Sequence, residues 1–217
     1  MSRNLVNSTM QETMRPTETG RRYDRISAWW NDQRGESTAG LRYVRRVIDL
    51  ASTGGKALDV GCGSGGRIID ALVGSGFQVT GIDVSEAMIG LARENHPGSR
   101  FIFGDVCDWR PPEEYDAIVA WDSTFHVPYH LQREVLEKLC GALAANGVIL
   151  FTAGGVDGEI TGRMNGQDFY YSSLNDEDYL NILKGAGCKC ILLERDAFPE
   201  EHVVFMSIKS QPDALIR

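Results

Sequence analysis

Long apolar segments are missing from this sequence of 217 residues. The longest uninterrupted ones, 117–121 and 148–151, have only the length of a β-strand, whereas a bilayer-spanning helix needs about 20 apolar residues. No apolar signal-peptide core follows Arg3 at the N-terminus. These absences argue against a membrane partner and against secretion, so we expect a cytoplasmic protein.

Positive charge is also scarce. The chain has 22 Lys and Arg against 30 Asp and Glu, a formal net charge of −8. Proteins that bind nucleic acid or anionic membranes broadly display a basic face. The basic residues of 15–25 and 42–46 alternate with apolar positions of two predicted helices, which is typical of a solvated helix face. We therefore expect no nucleic-acid partner.

The cysteines lack the paired spacing of a metal site or of a disulfide framework. There are five of them, an odd number, at positions 62, 107, 140, 188 and 190. In a reducing compartment such residues are small buried hydrophobic groups. No cluster of metal-ligating residues stands out either, so no metal is predicted.

Hydrophobic periodicity predicts an alternation of helices and strands. We expect residues 1–16 to be a disordered or loosely held tail, and residues 17–210 to form one domain. The predicted helices are 17–34, 39–51, 65–74, 85–95 and 129–145, and the predicted strands are 56–60, 78–83, 100–104, 115–121 and 147–153. Strands separated by helices imply right-handed crossovers and a parallel sheet with helices on both faces.

The C-terminal third departs from this alternation. A helix at 176–186 ends at Gly187, and strands 189–195 and 202–209 are joined too closely for a crossover, so they must be antiparallel. The fold class is therefore α/β, a Rossmann-like doubly wound sheet of seven strands, mostly parallel with a C-terminal antiparallel hairpin, in three α/β/α layers. The glycine-rich segment 154–172 is longer than an ordinary connection, and we interpret it as a substrate-covering flap loop.

A glycine-rich loop follows the first predicted strand. Gly61, Gly63 and Gly66 fit G-x-G-x-x-G, which lets a backbone approach a ligand closely. The motif alone fits a nicotinamide dinucleotide equally well, and Asp83 at the end of the second strand suits the ribose of either cofactor.

Three features distinguish the two cofactors. Asp59 lies two residues before the first glycine, where it suits a cationic amino-acid end rather than a pyrophosphate. Asp105 follows the third strand, where it can accept a hydrogen bond from an adenine amino group beside Val106. The closing antiparallel hairpin is not expected in a dinucleotide domain. The predicted ligand has an adenosine, no phosphates and a zwitterionic tail.

These residues resemble the motifs of class I S-adenosylmethionine-dependent methyltransferases. The resemblance runs from about residue 20 to 209 and rests on Leu58–Gly65, Gly81–Ser85, Gly104–Asp105 and Tyr115–Ala120. The segment 121–128, W-D-S-x-F-H-x-P, resembles a small-molecule subgroup of the methyltransferase type 11/25 kind. This implies an enzyme of the EC 2.1.1 class that uses S-adenosyl-L-methionine, releases S-adenosyl-L-homocysteine and methylates oxygen or nitrogen of a small acceptor.

The resemblance and the strand ends together give the predicted cofactor-binding residues. They are Tyr23, Asp59, Gly61, Cys62, Gly63, Asp83, Val84, Met88, Asp105, Val106 and Trp121. Family membership implies that Gly61 and Gly63 line the methionine end, that Asp83 holds the ribose and that Asp105 contacts the adenine. In many relatives the N-terminal helix is a lid, which would bring Tyr23 to the methionine end.

Catalytic groups are expected in the segment after the fourth strand. His126 is the candidate base, because its unperturbed pKa of about 6.5 suits neutral pH, or it simply packs in the loop. Asp122 orients that imidazole, binds an acceptor amine or caps the following turn. Trp30, Phe125 and Tyr170 are predicted to line the substrate pocket.

Two other function classes stay open. A non-catalytic module that binds S-adenosylmethionine or S-adenosylhomocysteine fits the cofactor motifs, and a nicotinamide-dependent oxidoreductase fits the glycine motif. The remaining histidines, at 96, 130 and 202, are interpreted as surface or strand-end residues. The expected state is a monomer or homodimer.

Overall fold

In the computed structural model, residues 15–34, 37–195 and 202–211 are described. The tail predicted for 1–16 lies outside this range except for its last two residues, and α1 begins at Pro16. The helices are α1 (Pro16–Arg34), α2 (Leu41–Leu50), α3 (Arg67–Gly74), α4 (Glu86–Asn95), α5 (Gln132–Gly141) and α6 (Asp176–Gly185). The strands are β1 (Lys56–Val60), β2 (Gln78–Asp83), β3 (Arg100–Phe103), β4 (Tyr115–Ala120), β5 (Leu143–Ala153), β6 (Gly158–Met164), β7 (Gln167–Ser173), β8 (Cys188–Arg195) and β9 (Val203–Lys209).

Seven strands form the central sheet in the order β3-β2-β1-β4-β5-β9-β8. The first five are parallel, and β9 runs antiparallel to both β5 and β8. The predicted fold class is therefore confirmed, including the antiparallel C-terminal pair. No helix of the described residues is long and apolar enough to cross a membrane.

Alternate residues of the central strands point to two separate cores. Leu58 and Ile118 pack on the face covered by α5 and α6, whereas Ala57 and Val119 pack on the face covered by α2, α3 and α4. A strand buried on both faces reads as a continuous apolar run, which is why β1 and β4 were recognisable in the sequence.

Two helix ends show the predicted local chemistry. The Ser85 hydroxyl accepts a hydrogen bond from the Met88 amide and caps α4. Gly187, which follows the C-cap residue Ala186 of α6, adopts a φ of 73°. The helix predicted for 129–145 is too long, because a short 3-10 turn precedes α5 and Leu143 already pairs with Tyr115 in the sheet.

The flap predicted as a loop over 154–172 is wrong in its secondary structure. Strands β6 and β7 form an antiparallel hairpin with Met164 opposite Gln167. Its two-residue turn, Asn165 and Gly166, has φ values of 42° and 78°. Positive φ at both residues is the geometry that matches strand twist in a tight hairpin, and Asn-Gly is its preferred sequence.

Helix α1 bridges α4 and the hairpin. Asp24 accepts hydrogen bonds from the Ser85 hydroxyl (2.6 Å) and from the Ala87 amide (3.0 Å). Arg25 donates to the Gln167 side chain on β7 over 3.1 Å. A Cβ atom on Gly20 would overlap the main-chain oxygen of Val84, so this close approach requires glycine. Helix α1 thus lies over the carboxyl ends of the parallel strands.

Candidate active site

A cleft of about 1180 Å³, open mouth included, lies between α1 and the carboxyl ends of β1, β2 and β4. This is the edge where open α/β sheets bind ligands. All the residues predicted to bind cofactor or to act in catalysis line it. These are Tyr23, Asp59, Gly61, Cys62, Gly63, Asp83, Val84, Met88, Asp105, Val106, Trp121, Asp122 and His126, together with Trp30 of the predicted substrate pocket.

Amide groups of the glycine loop are already engaged within the protein. The Gly61 and Cys62 amides donate to the Ile82 carbonyl at 2.8 and 3.1 Å. The Gly63 amide donates to Oδ2 of Asp83 at 2.9 Å, and the Gly65 amide donates to the Cys62 carbonyl. A phosphate cradle depends on amides that point at the ligand, and these four do not offer that.

Two buried carboxylates, rather than free amide groups that could bind an anion, lie at this end of the cleft. Asp59 is only 3% exposed, and burial, reinforced by the nearby Asp83 charge, raises its pKa to about 7. Burial also raises the pKa of Asp83, against the hydrogen bonds that its carboxylate accepts. An arriving cation would relieve the cost of holding these charges in a dry site. The loop therefore favours a cationic group over a pyrophosphate.

Asp83 connects the loop to the next helix. Its Oδ1 accepts from the Ser85 amide at 2.8 Å while Oδ2 accepts from Gly63. Each carboxylate oxygen can accept more than one hydrogen bond, so these contacts fix the group without excluding ribose hydroxyls.

The predicted adenine end is more apolar. Met88, Val84 and Val106 line the cleft there beside Asp105. Oδ1 of Asp105 accepts from the Cys107 amide at 2.8 Å, so this residue also holds the turn after β3.

Arg67 was missed by the sequence reasoning. It is the first residue of α3, lines the cleft, and donates from Nε to the Ala39 carbonyl at 2.6 Å. Its charge acts to lower the pKa of Asp59. The available signal was its place directly after the last glycine of the motif.

Two polar side-chain atoms of the cleft wall are buried without a hydrogen-bond partner among the described residues. They are Nε1 of Trp121 and Oγ of Ser123. The Trp121 ring itself is held by stacking on Tyr43, with centroids 5.5 Å apart. A Cβ atom on Gly61 would overlap the Ser123 side chain, so this part of the loop requires glycine. Buried polar atoms without partners are rare in native proteins.

Tyr23 and His126 form a hydrogen-bonded pair across the cleft. The Tyr23 hydroxyl lies 3.0 Å from Nε2 of His126, and Nδ1 of His126 lies 2.9 Å from the Tyr170 carbonyl oxygen. A carbonyl only accepts, so Nδ1 carries the proton and Nε2 accepts from Tyr23. Burial lowers the pKa of His126 to about 4. The expectation of an unperturbed pKa is therefore wrong, and the imidazole is neutral at pH 7.

Asp122 does not orient the His126 imidazole by direct contact. Its Oδ1 lies 3.1 Å from Nδ1 of His202, a residue whose side chain is 14% exposed. Asp122 has a φ of 55°, and its amide donates to the Thr152 hydroxyl. His202 directly precedes β9, so its interpretation as a strand-end residue is confirmed. His96 is neither a surface nor a strand-end residue, because it caps the end of α4 with a side chain 14% exposed, and its Nε2 lies 2.6 Å from the Gly65 carbonyl oxygen.

Phe125 and Tyr170 lie outside the described lining of the cleft. Phe125 packs beside Tyr171, with centroids 5.6 Å apart. The Tyr170 hydroxyl donates to Glu159 at 2.6 Å, on the neighbouring strand of the hairpin. The Phe125 ring packs edge-on against His126 at 5.0 Å, and Tyr170 contacts His126 through its main-chain carbonyl. Trp30, in contrast, lines the cleft edge-on to Tyr23, at 5.4 Å.

The described residues contain no group of three or more His, Cys, Asp or Glu side chains arranged to hold a metal. The five cysteines are free thiols.

Comparisons with known proteins point to one family. Residues 57–147 match the family described as a methyltransferase domain. The chain is 38% identical over 96 residues to trans-aconitate 2-methyltransferase of Rhodopseudomonas palustris, a match that covers 43% of this chain and 36% of that protein. It is 29% identical over 172 residues to ubiquinone biosynthesis O-methyltransferase of Coxiella burnetii, over 74% of this chain and 68% of the other. The first of these matches therefore spans about a third of the relative's length.

Solved structures share the fold. The sugar N-methyltransferase KedS8 from Streptoalloteichus superposes with a TM-score of 0.68 at 19% identity, over 85% of this chain and 92% of that one. An S-adenosylmethionine-dependent methyltransferase from Clostridium acetobutylicum gives 0.69 at 11% identity, over 87% and 99%. At these sequence identities, the superpositions show a shared fold and nothing more.

Proposed function

Because the chain carries the methyltransferase domain and the fold of class I S-adenosylmethionine-dependent methyltransferases, we propose that it methylates oxygen or nitrogen of a small-molecule acceptor. The observation that carries this proposal is the pairing of engaged loop amides with the buried carboxylates Asp59 and Asp83. That arrangement suits the cationic methionine end of the cofactor.

The residues present fit S-adenosylmethionine. Asp59 would hold its ammonium group, and Arg67 its carboxylate. Asp83 would hold the ribose hydroxyls, while Asp105 and Val106 would contact the adenine. The remaining contacts are assigned to Gly61, Cys62, Gly63, Val84, Met88 and Trp121. The bound cofactor supplies an electrophilic methyl group on a sulfonium ion.

The chain's own part in the reaction is to orient the acceptor, exclude water and manage a proton. Tyr23 and Trp30 lie on α1, which covers the cleft. A base is needed only when the attacking atom carries a proton. In that case the proton passes to the Tyr23 hydroxyl as Tyr23 gives its own proton to Nε2 of His126. His126 thus acts through Tyr23.

A non-catalytic module that only senses the cofactor is the competing function. It would share every cofactor contact named above. The Tyr23–His126 pair favours catalysis, since a sensor has no use for a proton acceptor in the cleft. A nicotinamide-dependent oxidoreductase is disfavoured by the engaged amides of the glycine loop.

We also propose a cytoplasmic protein, a monomer or homodimer, that does not bind nucleic acid. The net charge of −8 supports the proposal that the protein does not bind nucleic acid. The proposed domain spans residues 17–210.

The test of the proposed function is formation of S-adenosylhomocysteine in the presence of a metabolite library. We expect one or a few acceptors to release it above the background rate. His126→Ala should lower turnover of that acceptor by about 100-fold, the usual size of a general-base contribution, with unchanged affinity for S-adenosylmethionine. Tight cofactor binding with no turnover of any compound would favour the sensor instead.

A further inference from the structure

Gln132 is a polar side chain buried behind the segment that carries His126. It is the first residue of α5 and is only 3% exposed, although glutamine is usually a surface residue. Burial of an amide costs free energy unless its donors and its acceptor are paired. The partners of Gln132 therefore identify the part of the fold that this side chain holds.

The amino group of Gln132 lies among oxygen atoms of two separate segments. Nε2 donates to the Thr124 carbonyl at 2.9 Å and lies 3.3 Å from the Val127 carbonyl oxygen. On the other side, it lies 3.2 Å from the carbonyl oxygen of Ser172 and 3.0 Å from the hydroxyl of the same residue. Carbonyl oxygens only accept, so the amino group must face them rather than the amide oxygen. This requirement fixes the orientation of the side chain.

The hydroxyl groups of Tyr179 and Ser172 complete the network. The Tyr179 hydroxyl on α6 donates to Oε1 of Gln132 at 3.2 Å and accepts from the Leu174 amide. The Ser172 hydroxyl donates to the Val127 carbonyl at 2.6 Å. The amide oxygen and the amino group of Gln132 are thus both paired. A buried network that is fully paired favours a single arrangement of the segments that it joins.

One of the two joined segments is the 3-10 turn that carries His126. Thr124 is the first residue of this turn, His126 its last and Val127 the residue that caps it. Gln132 therefore holds the main chain on both sides of His126. The backbone of the turn is fixed at the two carbonyl groups nearest to the imidazole-bearing residue.

The other joined segment is the end of β7. Ser172 lies two residues after Tyr170 on this strand, and the Tyr170 carbonyl oxygen lies 2.9 Å from Nδ1 of His126. A displacement of the turn from β7 would lengthen this contact. The proton could then move from Nδ1 to Nε2, and Nε2 would no longer accept from the Tyr23 hydroxyl.

We propose that Gln132 is a positioning residue for methyl transfer, because it joins the His126 turn to β7 and so keeps Nε2 of His126 as a proton acceptor facing Tyr23. This inference rests on the proposed function, in which His126 acts through Tyr23. Gln132 lies outside the described lining of the cleft, so it acts on the reaction through His126.

The first test is the tautomer of His126, which can be measured without any turnover. Full-length protein with isotope-labelled histidine is studied at neutral pH by nitrogen NMR, which distinguishes a protonated ring nitrogen from a bare one. His126→Ala identifies the signals of this imidazole. We expect wild type to carry the proton on Nδ1. Gln132→Met, with an apolar side chain of similar length, should show a mixture of the two tautomers.

Tyr179→Phe is the matched control, because it removes a hydrogen bond from Oε1 of the same buried amide and leaves those of Nε2. It should keep the proton on Nδ1. Ser172→Ala is a milder variant that decides the question if Gln132→Met does not fold, and it should show a smaller proportion of the second tautomer. The Nδ1 tautomer alone in every folded variant would overturn the proposal, as would an equal mixture in Tyr179→Phe.

The second test is turnover of the acceptor found in the library assay. We expect Gln132→Met to lower kcat by about tenfold, less than His126→Ala, because the imidazole is displaced rather than removed. Affinity for S-adenosylmethionine should be unchanged. A purely structural residue would instead lower the thermal stability and leave kcat unchanged wherever the variant is folded, and that result would overturn the proposal.

Failure of the proposal and failure of the proposed function give different results. Unchanged kcat in Gln132→Met beside an active wild type would refute the positioning role and leave the proposed function intact. Absence of all turnover in wild type would refute the proposed function. The tautomer comparison would then still decide whether Gln132 positions the His126 imidazole.

Discussion

At the scale of single residues, Asp59 makes cofactor affinity depend on pH. Its pKa of about 7 in the unliganded cleft falls once an ammonium group lies beside it, so binding releases a proton. Affinity for S-adenosylmethionine should therefore rise from pH 5.5 to 7.5, by about tenfold per pH unit below the pKa. Calorimetry at several pH values measures this.

Asp59→Asn is the matched variant for that titration. It should bind the cofactor weakly and show no rise in affinity over the same range. An equally steep rise in Asp59→Asn would assign the titration to another group.

His126 predicts a second pH effect, on stability. Its pKa is lowered to about 4 in the folded protein, whereas in the unfolded chain it is near 6.5. Below pH 6.5 the unfolded chain binds the extra proton, so the free energy of unfolding should fall as the pH drops from 6.5 to 4 and should be constant above this range as far as His126 is concerned. Urea unfolding of wild type and His126→Gln at each pH measures the difference.

Between pH 6.5 and 4, the free energy of unfolding should fall less in His126→Gln than in wild type. The other histidines contribute equally to both proteins and cancel in the comparison. A decline of equal size in His126→Gln would show that the imidazole is not kept neutral by the fold.

The residues that line the cleft were easier to predict from the sequence than the contacts that their side chains make. Asp59, Asp83 and Asp105 stand at strand ends, where a parallel sheet brings its ligands, and all three line the cleft. One role predicted for Asp122 was to orient His126, its near neighbour in sequence, whereas its carboxylate lies beside His202. Sequence proximity does not reveal this contact, because Asp122 follows β4 and His202 precedes β9, and these two strands flank β5 in the sheet.

At the scale of elements, α1 is attached to the cleft through Asp24. Its carboxylate accepts from the Ser85 hydroxyl and the Ala87 amide at the start of α4. Asp24→Ala should lower the free energy of unfolding by about 1 kcal/mol, as for a lost helix cap. Because α1 carries Tyr23 and covers the cleft, the cofactor should also dissociate faster in this variant.

Stopped-flow displacement of S-adenosylmethionine measures that rate. Asp32→Ala, at an exposed position of the same helix, is the control and should behave like wild type. An unchanged dissociation rate in Asp24→Ala would mean that α1 does not limit cofactor release.

The hairpin β6–β7 shows where element prediction failed. The many glycines of this segment predict an irregular flap, whereas Asn165-Gly166 between two strand-length segments is the stronger signal and indicates a hairpin. The consequence for the site is direct, since the Tyr170 main chain on β7 sets the His126 tautomer. An irregular flap would not hold the Tyr170 carbonyl oxygen at a fixed position beside His126.

At the scale of the whole molecule, the seven-stranded sheet was predictable because its strands are buried on both faces. Continuous apolar runs mark such strands, and helices between them fix the crossover direction. The placement of α1 over the cleft was not derivable from periodicity, because it depends on side-chain contacts of Asp24 and Arg25 with distant elements. The sheet thus follows from local patterns, while the cover of the cleft depends on tertiary contacts.

The central claim is that the cleft takes a zwitterionic adenosine cofactor without phosphates. Calorimetric titration of the full-length protein with S-adenosylmethionine, S-adenosylhomocysteine and NAD tests it most directly. The account predicts that both sulfur compounds bind at one site per chain, that Asp83→Ala weakens both, and that NAD gives no binding heat. Binding of NAD with no binding of either sulfur compound would contradict it.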